Sequence, residues 1–302
     1  MILSSIIPTR NRPKDLLQAV DTVLRQTRLP DQLLIIDQSA DDISKNLIEK
    51  LFVREKPHME LNYIHDTSIT GLIHAKDVGV KKSSGDIVMF LEDDVILSPN
   101  YVECLLNGFL ENPKMMGSCG VMTDVSKFTW SYRLFFRLFH RGFLNDQRAR
   151  IHGNPSQWGN KFIPSMYLSG GLSAFRREVF EKVPFDLKND FFMIEDSDFS
   201  TRAEQTFGAD KFFINTSARL DHYYSPVNRA VQKPRYNRKM REYVVFYKKN
   251  SYRKWSSISF AWLLVGCVLE ASLESIKSRS LNPLIGMGKG LIEGSQWKVQ
   301  AI

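Results

Sequence analysis

Glu92, Asp93 and Asp94 stand in a row directly behind a short apolar run, Ile87 to Leu91. Three adjacent carboxylates repel one another, and the cost falls when something cationic sits among them. A hard divalent ion takes oxygen ligands and can bridge protein carboxylates to substrate phosphates. An acidic triplet alone is equally a solvated turn. Its setting argues for more, because the run before it has β-branched members and is introduced by Gly85-Asp86. Such a run reads as a strand buried on both faces of a parallel sheet. Ligands of open α/β sheets bind at the carboxyl ends of such strands. The triplet is therefore a candidate metal–diphosphate site.

A second acidic group, Glu195-Asp196, follows the apolar residues 191 to 194 and opens a helical stretch, Asp196 to Thr206. The helix dipole favours carboxylates there, so a cap accounts for them; so does a general base for a hydroxyl group. Ser169-Gly170-Gly171 lies between the two groups in sequence. Glycine, lacking Cβ, lets backbone approach a ligand closely.

The elements that must hold these residues alternate. Strands are predicted at Ile2 to Ile7 (stopped by Pro8), Leu33 to Ile36, Leu61 to Ile64, Ile87 to Leu91 and Met116 to Met122. Helices are predicted at Pro13 to Thr27, Asp42 to Val53, Ile73 to Lys82 and Tyr101 to Leu110. Strands alternating with helices imply βαβ units and a mostly parallel, Rossmann-like sheet flanked by helices. Further along, Ala174 to Val183 reads as a helix and Phe212 to Ile214 as a late strand, followed by Leu220-Asp221-His222.

The chain has 302 residues, 25% of them charged and 43% hydrophobic, an ordinary soluble composition with a net charge of +8. The charge is regional. Residues 127–150 hold six Lys or Arg against Asp146 alone, and residues 228–254 hold ten against Glu242 alone. Phosphate groups or an anionic membrane surface would explain such patches. Arg133, Arg137 and Arg141 fall four apart among Phe, Trp, Tyr and Leu, the pattern of a basic amphipathic helix that lies in a membrane interface or packs on the protein's own core. The tail carries Ile258 to Leu269, a 12-residue apolar run interrupted afterwards by Glu270, Glu274 and Lys277. A spanning helix needs about 20 residues, so a packing helix or an in-plane anchor is expected. Cys104, Cys119 and Cys267 are too few and too scattered for a disulfide framework or zinc site and read as buried thiols. The first residues lack the basic start and longer apolar region of a signal peptide, which points to a reducing, cytoplasmic setting.

Five stretches, in order over roughly residues 3 to 225, resemble the family 2 glycosyltransferases of the GT-A fold. They are SIIPTRNRPKDL, IIDQS, GLIHAKDVGVKKSSGDIVMFLEDDV, SGGLSAFRREVFEKV and IEDSDFSTRAEQTFG. The resemblance implies a sugar-nucleotide-dependent, inverting enzyme using Mn2+ or Mg2+. It implies that Pro8, Thr9, Arg12 and Lys76 line the nucleotide pocket, with Asp37 at the base and Asp93 at the ribose. Asp94, with Glu92 and the late His222, would hold the metal, and Gly170-Gly171 would face donor and acceptor. Asp196 matches the general base and Glu195 its companion. The departures are Glu92 where the family commonly has an aspartate, Arg10 where it has an aromatic residue, and Asp77 in a region of polar residues.

The implied organisation is a catalytic domain over residues 1–225, comprising a nucleotide-binding half (1–122) and an acceptor half (123–225) with a basic aromatic insertion at 127–150. A basic helical extension, expected to associate with a membrane, covers 226–302. Arg229, Lys233, Arg235 and Arg238 would close over the diphosphate or bind membrane phosphates. The expected reaction moves a sugar from a nucleoside-diphosphate donor to a glycan or lipid-linked acceptor, in surface polysaccharide synthesis at the inner face of a membrane, without nucleic acid as partner. A polyprenyl-phosphate glycosyltransferase is the near alternative. A sugar-nucleotide pyrophosphorylase would need a glycine-rich loop near the first strand, and PTRNRP has none. A nucleic-acid binder would use the tyrosines among the tail's cations but leaves Asp93, Asp94 and Asp196 without a role.

Overall fold

Strand β1 (Leu3–Thr9) is buried along its whole length and is followed by helix α1 (Pro13–Leu24), whose Leu16, Val20 and Val23 face it. The pattern repeats through β2 (Gln32–Asp37), α2 (Ile43–Glu55), β3 (Glu60–His65), α3 (Leu72–Lys82) and β4 (Ile87–Phe90). A short β5 (Val95–Leu97), α4 (Tyr101–Glu111) and β6 (Gly117–Met122) complete the first half. Then follow α5 (Trp130–Phe139), α6 (Arg148–His152), β7 (Phe162–Pro164), β8 (Ser173–Arg176), α7 (Arg177–Lys182), α8 (Glu195–Phe207) and β9 (Phe212–His222). Three helices close the chain: α9 (Gln232–Asn250), α10 (Ser256–Lys277) and α11 (Asn282–Gln296). This computed structural model describes residues 1–124, 130–152, 154, 158–159, 161–227, 232–251 and 255–302. Lys127, Arg229 and Lys254 lie outside the described residues, as does the side chain of Lys233.

The sheet order is β3-β2-β1-β4-β8-β6-β9-β5, with β7 beside β9. Strands β3, β2, β1 and β4 run parallel; β8 is antiparallel to both β4 and β6, and β6 runs parallel to β9. Fully buried Ile6, Ile7, Leu33, Leu34, Ile35, Ile36 and Val88 fill the parallel half. Each such side chain contributes about 1.5–3 kcal/mol relative to exposure. Because β1 pairs with β2 on one side and β4 on the other, the crossovers diverge there and leave a crevice at the carboxyl ends of both strands. The acidic triplet opens onto that crevice.

The expected helix at Ala174 to Val183 is corrected. Its first residues form β8, and only Arg177–Lys182 is helical. The sequence has helix formers, but the backbone of Ser173–Arg176 lies between β4 and β6 and satisfies both. Strand β1 continues through Pro8 to Thr9, the late strand is 11 residues long, and Cys104 is only half-buried. Helix α5 ends at Phe139, so Arg141 does not share the helical face of Arg133 and Arg137.

The C-terminal helices have their own core. Met240, Val244, Val245, Phe246, Phe260, Leu263, Cys267 and Met287 pack together with Ile73, Phe143, Leu144 and Phe191 of the preceding chain. The apolar run expected over 12 residues is part of α10, a 22-residue helix long and apolar enough to cross a membrane, about a third of it buried against the protein. Glu270 lies within this helix and pairs with Lys239 on α9.

Candidate active site

Strand β1 ends at Thr9, and β4 hands over to the triplet in the neighbouring lane. Thr9 Oγ1 donates to Asp93 Oδ2 at 2.8 Å, and Arg12 Nη1 donates to Asp93 Oδ1 at 2.8 Å. Burial pushes the Asp93 carboxyl up to about 6, against the pull of Arg12 and Thr9. Pro8 is buried in β1 beside Ile36, so it shapes the strand end. Asp37 is fully buried at the end of β2 and accepts from the Ser39 backbone N–H and from Tyr63 Oη at 2.6 Å. The carboxylate thus braces the loop after β2, and burial and its charge raise the Tyr63 hydroxyl.

Asp94 faces the other way. Strand β5 pairs with β9 so that Val95 lies opposite His222, which brings the imidazole to Asp94. His222 Nε2 sits 2.9 Å from Asp94 Oδ1 and 2.9 Å from Glu92 Oε2, and the three side chains offer ligand atoms within 4.8 Å of one another. Burial alone would lower the His222 pKa, but the hydrogen bonds and charges of Asp94 and Glu92 outweigh it and raise it to about 9. Burial would likewise raise Asp94, yet His222, the Ser225 N–H and Arg12 hold it below the usual carboxylate range. Two carboxylate oxygens and one imidazole nitrogen converging on a point suit Mn2+ or Mg2+, and a bound ion would take the place of the imidazole proton.

Gly170-Gly171 connects this cluster to the second acidic pair. A Cβ on Gly171 would meet the Glu92 side chain at 2.2 Å, and Glu92 N–H donates to Gly171 O at 2.9 Å. A Cβ on Gly170 would lie 2.7 Å from Lys76 Nζ, 2.8 Å from Glu195 Oε1 and 3.1 Å from Asp196 Cβ. The two glycines therefore bring the metal-type cluster and the Glu195-Asp196 pair against one backbone turn.

Lys76, buried on the inner face of α3, donates to Glu195 Oε1 at 2.6 Å. Burial raises the Glu195 carboxyl, and Lys76 pulls it back down. Asp196 turns its carboxylate to Arg148, with the Gly170 N–H 3.4 Å away. Arg148 is the residue sequence reasoning missed. It also binds Asp146 through Nε and Nη2, Leu168 O at 3.2 Å and Ser197 Oγ at 3.2 Å. Burial disfavours its charge, but the two carboxylates more than compensate and keep it cationic. The signal was Asp146, the lone acid within the basic stretch 127–150.

Helix α8 is held from behind. Glu242 Oε2 on α9 accepts the backbone N–H groups of Phe192, Met193 and Ile194 at 3.1, 2.7 and 3.2 Å, directly before Glu195. Lys249 bridges Asp186 and Asp198 at 2.6 and 2.7 Å. Of the basic residues expected over the diphosphate, Arg238 stacks on Phe192, 5.0 Å from the ring centre to the guanidinium carbon. Arg235 lines a cavity behind α8.

The sequence pattern described as Glycosyl transferase family 2 matches residues 4–184, more than half the chain. A Bacillus subtilis protein, the uncharacterized glycosyltransferase YwdF, is 27% identical over 103 residues, 34% of this chain and 36% of YwdF. The first curated relatives are thus matched over 15% to 36% of their own length. Among solved structures, the mannosyltransferase PcManGT of Pyrobaculum calidifontis, in complex with GDP-Man and Mn2+, aligns with TM-score 0.62 at 13% identity, covering 97% of this chain and 87% of that one. S. aureus TarS aligns with TM-score 0.57 at 16% identity, over 87% of this chain and 71% of the TarS chain. The mostly parallel sheet and its flanking helices are those of the GT-A fold, and the chain belongs to the family 2 glycosyltransferases.

Proposed function

We propose that the protein transfers a sugar from a nucleoside-diphosphate donor to an acceptor hydroxyl in one in-line displacement, with inversion at the anomeric carbon. The observation that carries this is the glycine turn, with Glu92, Asp94 and His222 on one side and Glu195 and Asp196 on the other. Glu92, Asp94 and His222 would hold a divalent ion, which when bound supplies Lewis-acid stabilisation of the leaving diphosphate. Arg12, beside Asp93 and 3.7 Å from Asp94, adds positive charge at the same end. Asp196 takes the acceptor proton as the hydroxyl attacks. Arg148 pairs with that carboxylate and fixes its direction, while Lys76 pairs with Glu195 beside it. Asp196 as the one base, with Glu92, Asp93 and Asp94 engaged by His222, Thr9 and Arg12 rather than held as nucleophiles, fits a single displacement.

The acceptor is a glycan or a lipid-linked carrier of a surface polysaccharide, and the protein works peripherally at the inner face of a membrane. Support comes from α10. Ile258, Trp262, Val265, Leu269, Leu273 and Ile276 are exposed and recur at helical spacing along one uncharged stripe about 27 Å long.

The test is a screen of UDP- and GDP-sugars with Mn2+ for thermal stabilisation, followed by proton NMR of the product. A shift with one donor family and an inverted anomeric proton is expected. Retained configuration, or no stabilisation by any nucleotide sugar, overturns the reading. Flotation with anionic vesicles checks the location; protein that stays at the bottom of the gradient removes it.

A further inference from the structure

A cavity of about 810 Å³ lies between α5, α9 and α10, outside the nucleotide crevice. Its walls are mostly apolar and aromatic, among them Leu134, Phe135, Tyr243 and Phe246. Arg148, Asp146 and Ser197 also line it. Arg148 is the group that clasps Asp196, so the cavity abuts the candidate base from the side away from the donor. Burying this much apolar wall beside a catalytic carboxylate suits a substrate with a hydrocarbon part and a polar head.

The mouth says where such a substrate comes from. Leu269 and Leu273 line the cavity and also belong to the exposed stripe of α10, half or more exposed. Apolar wall and apolar outer surface are therefore continuous. Arg235 and Lys277 stand among the lining residues with Glu270 and Glu274, and Lys239 pairs with Glu270. Cations outnumber carboxylates at this fringe by three (Arg235, Lys239, Lys277) to two (Glu270, Glu274), and an apolar slot with an excess cation at its edge matches an anionic lipid.

We infer that this cavity binds the hydrocarbon chain of a phosphate-bearing lipid acceptor, drawn from a bilayer lying against α10, with its hydroxyl-bearing head at Asp196. The inference rests on the transferase reading above and names its acceptor class. The chain stays in the apolar slot, the phosphate near Arg235 and Lys277, and only the head crosses Arg148 into the crevice.

The probe is dodecyl phosphate below its micelle concentration, titrated into the full chain and followed by calorimetry and by tryptophan emission, since Trp130 lines the cavity. One saturable site is expected, weakened at least tenfold by Leu134→Trp, which fills the slot, and by Leu269→Arg, which charges its mouth. Inorganic phosphate should compete poorly. Stabilisation by UDP or GDP with Mn2+, measured on the same samples, reports folding and the donor site separately. No saturable site in a protein that nucleotide still stabilises overturns the inference and leaves the transferase reading standing. Equal affinity in both variants, or full displacement by inorganic phosphate, also overturns it. A dimer lost in the same variants would assign the slot to a second copy instead.

Discussion

Gly171 and Glu92 share the same space: a side chain on the glycine would occupy the position of the glutamate's carboxyl end. Gly171→Ala must therefore push Glu92 off its 2.9 Å contact with His222. Mn2+-dependent stabilisation should fall sharply while the fold survives, because Glu92 is about a third exposed and can move outward. Melting curves with and without Mn2+ and nucleotide decide it; an unchanged metal response would separate the glycine from the cluster.

Asp196→Asn should lower transfer about 10²- to 10⁴-fold, the usual worth of a positioned base, with nucleotide affinity retained. Arg148→Met acts through the same carboxylate. Without the guanidinium the Asp196 carboxylate loses its ion pair and its fixed direction, so kcat should fall with the KM for the nucleotide donor little changed. Steady-state kinetics with the donor varied compare the two proteins.

Asp94→Asn keeps an oxygen for the Ser225 N–H, which Asp94 accepts at 2.8 Å, but removes the charge that a divalent ion needs. Chelation of the wild type should abolish transfer and added Mn2+ should restore it. In the variant, saturating metal should give little of the roughly 2.7 kcal/mol expected from a ligand at a hundred times its Kd.

Lys249 sits between two nearly inaccessible carboxylates, Asp186 and Asp198. Lys249→Met leaves both without that cation and should destabilise the protein by about 3–5 kcal/mol, the range for breaking a buried pair, with some relief because Arg202 still holds Asp198 at 2.9 Å. Urea unfolding measures it. A change below about 1 kcal/mol would mean the pair is incidental.

Glu242 gives a pH signature. Burial pushes its carboxyl up to about 7, against three backbone N–H groups and Arg238. An acid whose pKa is higher folded than unfolded holds an extra proton in the native state between the two values. Stability is then greatest below the unfolded value, near 4.3, and falls as pH rises to about 7. The wild type should lose roughly 2–4 kcal/mol across that window through this group. Glu242→Gln should flatten the slope whatever its constant offset, as read from urea midpoints at pH 5 and pH 8.

The parallel half of the sheet and its acidic strand end were legible because buried strands write continuous apolar runs, and Glu92-Asp93-Asp94 interrupts one abruptly. Asp196 was legible by its order behind Gly170-Gly171. Arg148 was not: its meaning depends on a long-range ion pair with Asp196, 48 positions away, which no local pattern encodes. Ser173–Arg176 misled because tertiary pairing overrides the helix propensity of Ala174 and Arg176 in that stretch. The length of α10 was hidden because Glu270, Glu274 and Lys277 end the apolar run without ending the helix, glutamate and lysine being good helix formers.

The grip of Glu242 on residues 192–194 bears on anyone who would shorten this enzyme. Cutting after residue 225 spares every acid in the crevice, yet it deletes the anchor that orients the start of α8. The trimmed polypeptide would keep its nucleotide shelf and lose the aim of its candidate base, so donor hydrolysis would outlast sugar transfer.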